Sequence, residues 1–343
     1  MVMRMRIPVL LLGWLTACGA KMSTPHTDEN WSGGGSKTSC TAPRTQFPAT
    51  AAMYQDISHA PKDPAWATIK AVFAAGWGNP FQLDPSFAIN YADSCVSRRP
   101  FTQPADALPD CDTAPIPVPT GGKIEGGTGY ACARPGDDCH LLVYQNDRLY
   151  ELYQAHITGG QARGGVFSGA CLVVWDLTRD YWKPSAPFSR GDGCNGADAA
   201  DLPIAPLLLK KSEIAEHVIS HAMRFTLPKA KIDSKYYVHP TTHLGGGNVQ
   251  PGIPYGARLR LRADYPVGSL PSAEARAIAV ALQTYGMYLA DAGGFYVSAT
   301  SDITDVVNTQ DLKALQPSDF DMIDGGARYE FHKQDCNRTP IAR

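Results

Sequence analysis

The chain has 343 residues, 44% of them hydrophobic, which suffices for a real core and excludes an intrinsically disordered protein. Its 31 Lys+Arg against 33 Asp+Glu leave a formal charge of −2, so no global field gathers nucleic acid or an anionic membrane surface.

The N-terminus carries the clearest signal. Arg4 and Arg6 form a positive start, Ile7 to Leu15 a short apolar run, and Leu15-Thr16-Ala17-Cys18 follows. The run is too short to span a bilayer as a helix. It resembles the lipobox of bacterial lipoproteins, which implies removal of residues 1–17, a diacylglycerol on the Cys18 thiol and acylation of the new amino group. Gly19 stands where an Asp would resemble the inner-membrane retention signal, so in a Gram-negative envelope the outer membrane is favoured. Without Cys18, eight cysteines remain, an even set that reads as disulfides in an exported chain. Local bracketing suggests Cys95 with Cys111, Cys132 with Cys139, Cys171 with Cys194, and Cys40 with Cys336. No C-x-x-C pair argues for zinc.

Residues 18–48, polar and glycine-rich, read as a lipidated tether. Residues 49–120 read as an irregular, disulfide-pinned part, with a helix from Asp63-Pro64 to Gly76 that places Trp66, Ile69 and Phe73 on one face. Residues 121–343 form the main domain. Asn146-Asp147 turns a hairpin between strands 141–145 and 148–155, and a third strand ends at Asp176. A long turn-rich connection follows. Ser212 opens a helix with Ile214, Val218, His221 and Ala222 on one face. Residues 257–263 alternate as a strand, Leu259 and Leu261 facing a core and Arg258, Arg260 and Arg262 facing outward. A helix starts at Pro271-Ser272 and stops at Gly286, a hairpin turns between Asp291 and Gly294, and a short helix lies near Asp311 to Leu315. The expectation is an α+β fold: a mainly antiparallel, sandwich-like β-sheet with several packed helices, stapled by disulfides.

Eight pieces keep their order over about 170 residues: IEGG (124–127), RLYEL (148–152), VWDL (174–177), ADAADLPIAP (197–206), HAMRFTLP (221–228), YVHPTTH (237–243), ARLRLRA (257–263) and YGMYLADAGG (285–294). Together they resemble an uncharacterised family of secreted bacterial proteins. His239 stands where that pattern carries Trp and His217 falls outside it, whereas His221 and His243 lie inside it.

Several chemistries compete. His217-x-x-x-His221 on one helix face, with His243, has metal-ligand spacing, but Val218 stands where a metalloprotease needs its catalytic Glu. No metal or other cofactor is therefore assigned. A polysaccharide lyase would use His221 or His243 as base, Tyr237 as acid, and Arg258, Arg260 or Arg262 to neutralise a substrate carboxylate. A glycoside hydrolase needs paired carboxylates, for which Glu151, Asp176, Asp198 and Asp201 stand near strand ends or loops. No G-x-S-x-G supports a serine hydrolase, and Gly245-Gly246-Gly247 lacks the Lys and Ser/Thr of a phosphate loop. A non-catalytic binder would present Trp175, Tyr181, Trp182 or Tyr255 to sugar rings. The expectation is a lipid-anchored envelope protein that acts on or binds polysaccharide, with His221, His243, Tyr237, Arg260 and Asp198 as catalytic candidates, the membrane met through Cys18, and no nucleic-acid partner.

Overall fold

The computed structural model describes residues 39–134, 136–181, 190–332, 336, 338, 340 and 341. The expected signal peptide, Cys18 and most of the expected tether lie outside these residues, as does Trp182. Among the described residues no helix is long and apolar enough to cross a membrane.

Three sheets carry the fold from Cys40 onward. A six-stranded mixed sheet runs in the order Leu83–Phe87, Tyr296–Thr300, Met223–Leu227, Met287–Ala292, Arg258–Leu261, Phe320–Ile323. A four-stranded sheet runs Ile89–Ala92, Leu141–Gln145, Arg148–Tyr153, Cys171–Asp176, parallel in its first pair and antiparallel after. Ile253–Tyr255, Ile232–Val238 and Arg328–Glu330 make the third. The predicted hairpin and third strand are present. Alternation along them feeds two cores: Leu142, Tyr144, Leu149, Val173 and Trp175 join the large core, while Leu141, Val143, Tyr150, Leu152 and Val174 join a smaller one. Both faces of this sheet are therefore covered. A single residue, Ala88, separates the edge strand of one sheet from that of the other, so residues 83–92 join the two sheets.

The second predicted hairpin is not one. Met287–Ala292 and Tyr296–Thr300 do not pair, because Met223–Leu227 lies between them, parallel to the first and antiparallel to the second. Local alternation reveals a strand but not which neighbour fills its ladder. The helix Ala273–Thr284 forms as expected, capped by the Ser272 hydroxyl accepting from Ala275 N–H. Near residue 64 the helix is one α turn, Trp66–Ile69, continued as a 3-10 turn, with Trp66, Ile69 and Phe73 all buried. Residues 311–315 form turns instead of a helix.

The helix expected from Ser212 is short, Lys211–Ala215, and His217 just beyond it has φ 55°, a left-handed backbone that ends the helix. His217 and His221 therefore do not share a helix face. His217 meets Glu274 and His221 meets Glu213, which dissolves the expected metal spacing.

The arginine strand is also corrected. Arg258 and Arg260 are buried, and their guanidiniums donate to backbone carbonyls: Arg258 to Tyr285, Ala52 and Gln55, and Arg260 to Ile57, Ser58 and Ala60 at 2.6–3.0 Å. The irregular segment at 52–60 has few ladder partners, and these two side chains satisfy its carbonyls. Only Arg262 reaches the surface, paired with Asp264.

The disulfides are Cys40–Cys95, Cys111–Cys171, Cys132–Cys139 and Cys194–Cys336. Of the expected pairs only Cys132–Cys139 forms; Cys95–Cys111, Cys171–Cys194 and Cys40–Cys336 do not. Asp112 bridges Leu172 in β fashion, which sets Cys111 beside Cys171. Thr41 and Ser94 exchange hydrogen bonds, which sets Cys40 beside Cys95. Cys40 and buried Phe47 thus bring the end of the expected tether into the fold.

Candidate functional site

The sheet junction concentrates charge. Arg224, on a central strand of the six-stranded sheet, donates from Nη1 to Ser298 Oγ at 2.8 Å and from Nη2 to Asp198 Oδ1 at 2.6 Å. Its guanidinium carbon lies 5.2 Å from the centre of the Phe87 ring. The pairing of Met223–Leu227 with Met287–Ala292 slips between Phe225 and Thr226, where Thr226 faces Asp291. Asp291 Oδ2 comes within 3.9 Å of Arg224 Nη2, and about a quarter of its side chain, 27%, remains exposed. Asp198 and Asp291 thus flank one guanidinium nitrogen, the first sealed inside and the second open to solvent.

His140 immediately precedes the strand Leu141–Gln145, and its ring packs on Phe87 at 5.8 Å between centroids. Its Nδ1 lies 2.6 Å from Glu125 Oε2 and its Nε2 lies 2.8 Å from the carbonyl of Ala197. Both ring nitrogens face acceptors, so the imidazole is held doubly protonated. Glu125 also accepts from Ser86 Oγ at 2.9 Å. Asp84 completes the cluster near Ser86, beside Ser298 on the neighbouring strand.

These environments separate the carboxyls. Burial pushes Asp198 up to about 7 despite the opposing charge of Arg224. Burial likewise raises Asp291 and Asp84, with Arg224 acting against it. Glu125 moves the other way: burial opposes its ionisation, but the charge and hydrogen bond of His140 prevail and hold it below the usual carboxylate range. Burial disfavours the His140 cation, yet Glu125 lifts it to about 9. At neutral pH the cluster therefore contains an ionised His140–Glu125 pair and, beside Arg224, carboxyls that keep their protons more readily than usual. Three further buried atoms, Asp198 Oδ2, Arg224 Nε and the Tyr255 hydroxyl, have no hydrogen-bond partner among the described residues. Burial, then the charges of Asp291 and Asp198, pushes the Tyr255 hydroxyl upward.

Of the five residues selected from sequence, only Asp198 belongs to this cluster. His243 lies beside the same loop, its Nδ1 2.8 Å from the carbonyl of Ala199, but its ring turns its edge to Phe331. Tyr237 is buried and stacks on Tyr329. His221 is buried between Glu213 and the carbonyl of Ala222. Arg260 clamps the 57–60 carbonyls. These partners belong to separate parts of the fold, so the expected lyase constellation does not assemble around the arginine strand.

The other acids have structural work. Glu151 accepts from Ile204 N–H, Ala205 N–H and the Trp175 indole. Asp201 pairs with Arg190 and Thr242, and Asp176 closes a turn at Thr178. The aromatics Trp175 and Tyr255 are core residues, and Tyr181 packs edge-on against Trp175. At Gly247 a Cβ would sit 2.2 Å from the Asp233 carbonyl, so close backbone approach explains part of the glycine run.

Sequence inspection missed Glu125, His140, Arg224 and Asp291. Three signals were present: Glu125 lies in IEGG, Arg224 in HAMRFTLP and Asp291 in YGMYLADAGG, each among the ordered pieces. No protein-family model, curated protein or solved structure matches the chain.

Proposed function

We propose that the protein is a glycoside hydrolase acting on cell-envelope or extracellular polysaccharide, and that Cys18 anchors it by lipid to the envelope, on the outer membrane of a Gram-negative cell. One observation carries the hydrolase reading: within a single cluster the environment drives Asp291 toward its protonated form and Glu125 toward its ionised form. Glycosidic cleavage needs that pair of states, an acid for the leaving oxygen and a carboxylate for the sugar centre or the attacking water. Asp291, partly exposed, is the acid. Glu125, kept ionised by His140, is the base or nucleophile. Arg224 and Asp198 are positioning residues, the first fixing Asp291 and the second fixing Arg224. Both cations here are already engaged, Arg224 by Asp198 and His140 by Glu125, which leaves none for a uronate and favours a bond between neutral sugars at the cleavage point.

Incubating the purified full chain with neutral and uronic-acid polysaccharides tests this. New reducing ends without the absorbance of an unsaturated product are expected, and Asp291→Asn and Glu125→Gln should each lower the rate by at least about a hundredfold. An unsaturated product would replace hydrolysis by elimination, and retention on a polysaccharide without turnover would make the protein a binder.

A further inference from the structure

We propose that a groove next to the acid cluster is a binding site for an anionic oligosaccharide, the sugar ring lying on Tyr91 and its carboxylate or sulfate on Lys123, Lys210 and Lys211. The groove has a volume of about 800 Å³, within the range of about 300–1,000 Å³ usual for small-ligand sites. Phe87 lines it and also packs against His140 and Arg224, so the groove and the acid cluster meet across one side chain. They are successive stations on the segment 83–92: Asp84 and Ser86 at one, Asn90 and Tyr91 at the other.

Tyr91 is 53% exposed, high for an aromatic residue in a groove, and it is held flat. Its ring stacks on that of Tyr144 at 5.7 Å and 10° between planes, and Tyr144 is buried and fixed in the four-stranded sheet. A rigid exposed aromatic face suits the apolar face of a pyranose, at little cost in side-chain entropy.

The groove carries lysines where the acid cluster carries carboxyls. The groove is lined by three lysines against one carboxylate, Asp302. Lys210 and Lys211 are paired with Glu213 and Asp305, but Lys123 donates to the neutral Ser301 hydroxyl at 2.8 Å and, among the described residues, has no carboxylate partner. Asn90 fixes the position of Lys123: its Oδ1 accepts from Lys123 N–H at 2.9 Å and its Nδ2 donates to the Lys123 carbonyl at 2.9 Å. A lysine positioned by its backbone, with its ammonium on a neutral hydroxyl, is suited to an incoming anion.

As a description of substrate this rests on the hydrolase reading: one polysaccharide chain would place a neutral linkage at Asp291 and an acidic substituent on an adjacent sugar at Lys123. Binding to the groove is independent of turnover. Calorimetry of the detergent-solubilised full chain at low salt, with trigalacturonate, a κ-carrageenan tetrasaccharide and maltotriose, separates carboxylate, sulfate and neutral ligands. At least one anionic probe should bind about tenfold or more tighter than maltotriose, and Tyr91→Ala and Lys123→Ala should each weaken it at least about tenfold. Tyr91→Phe, which keeps the ring, should retain binding and serves if the alanine variant fails to fold. Equal binding of maltotriose, or anion binding indifferent to both Tyr91→Ala and Lys123→Ala, overturns the assignment. Asp291→Asn should bind the anionic probe normally. If that variant keeps full hydrolytic activity, the catalytic reading fails while the groove stands; if wild type hydrolyses polysaccharide but binds no anionic probe, the groove fails alone.

Discussion

Asp198 Oδ1 accepts from Arg224 Nη2 at 2.6 Å, with both side chains buried, while the second oxygen of the carboxylate has no partner among the described residues. The pair holds the strand Met223–Leu227 to the loop at 195–204. Asp198→Ala removes the hydrogen-bonded partner of a buried guanidinium, leaving it Asp291 at 3.9 Å, and is expected to cost about 3–5 kcal/mol. Asp198→Asn keeps an acceptor and should cost less. The sign of its pH dependence follows from a folded value of about 7 against 3.8 unfolded. The native form holds this proton more tightly, so its contribution is full below about pH 4 and lost as pH rises through 7. The penalty of Asp198→Asn, measured by urea denaturation, should shrink from pH 5 to pH 8; a penalty that grows refutes the assignment.

Arg260→Ala removes one cation that serves the carbonyls of Ile57, Ser58 and Ala60. Hydrogen bonds from a charged donor contribute about 1.5–3 kcal/mol, and the carbonyls left behind add to the loss. Denaturant unfolding should show a loss of about 3 kcal/mol. Activity of the folded fraction should stay near wild type, whereas a catalytic arginine would abolish it.

Glu213 gives the opposite pH signature from Asp198. Burial opposes its charge, but the His221 hydrogen bond and charge, with Lys210, hold it down to about 2 against 4.5. This stabilisation is present above about pH 4.5 and lost as pH falls toward 2. His221→Ala should therefore cost about 2 kcal/mol at neutral pH, and the gap from wild type should close between pH 4.5 and 2 in thermal melts.

The disulfides differ in the loops they close, with sequence separations of 7 for Cys132–Cys139 and 60 for Cys111–Cys171. Chain entropy predicts about 2 kcal/mol for the first and about 4 kcal/mol for the second. The double Ser variant of the short loop should fold and show its main defect in activity, since Cys139 adjoins His140. The double Ser variant of the long loop should show a much lower denaturation midpoint.

Cys18→Ser tests the anchor directly. Palmitate labelling of cells should mark wild type and not the variant, and the variant should leave the membrane fraction. Labelling that persists rules out Cys18 as the acceptor.

Legibility followed the range of the forces. The Asn146-Asp147 hairpin, the strand Cys171–Asp176 and the helix Ala273–Thr284 were readable because periodicity and turn chemistry act within a dozen residues. The Ser212 helix was over-extended because five good residues looked like the start of more, while the left-handed backbone at His217 ends it soon after Ala215. Alternation in 257–263 marked the strand correctly but assigned its arginines to water. What buries them is an irregular segment 200 residues earlier, which no local pattern connects to them.

The candidate site divides in the same way. Asp198 was found because an acid in a turn-rich loop is locally conspicuous, whereas its partner Arg224 sits in an ordinary strand and Glu125 among glycines. By itself the sequence determined the composition class, the lipobox-like start, most element types and an even cysteine set, all fixed by residue chemistry and short-range pattern. Tertiary structure alone decided which cysteines meet, which strand separates 287–292 from 296–300, and which charges share a low-dielectric junction. Those outcomes depend on long-range packing, and desolvation there sets the protonation on which the proposed chemistry depends.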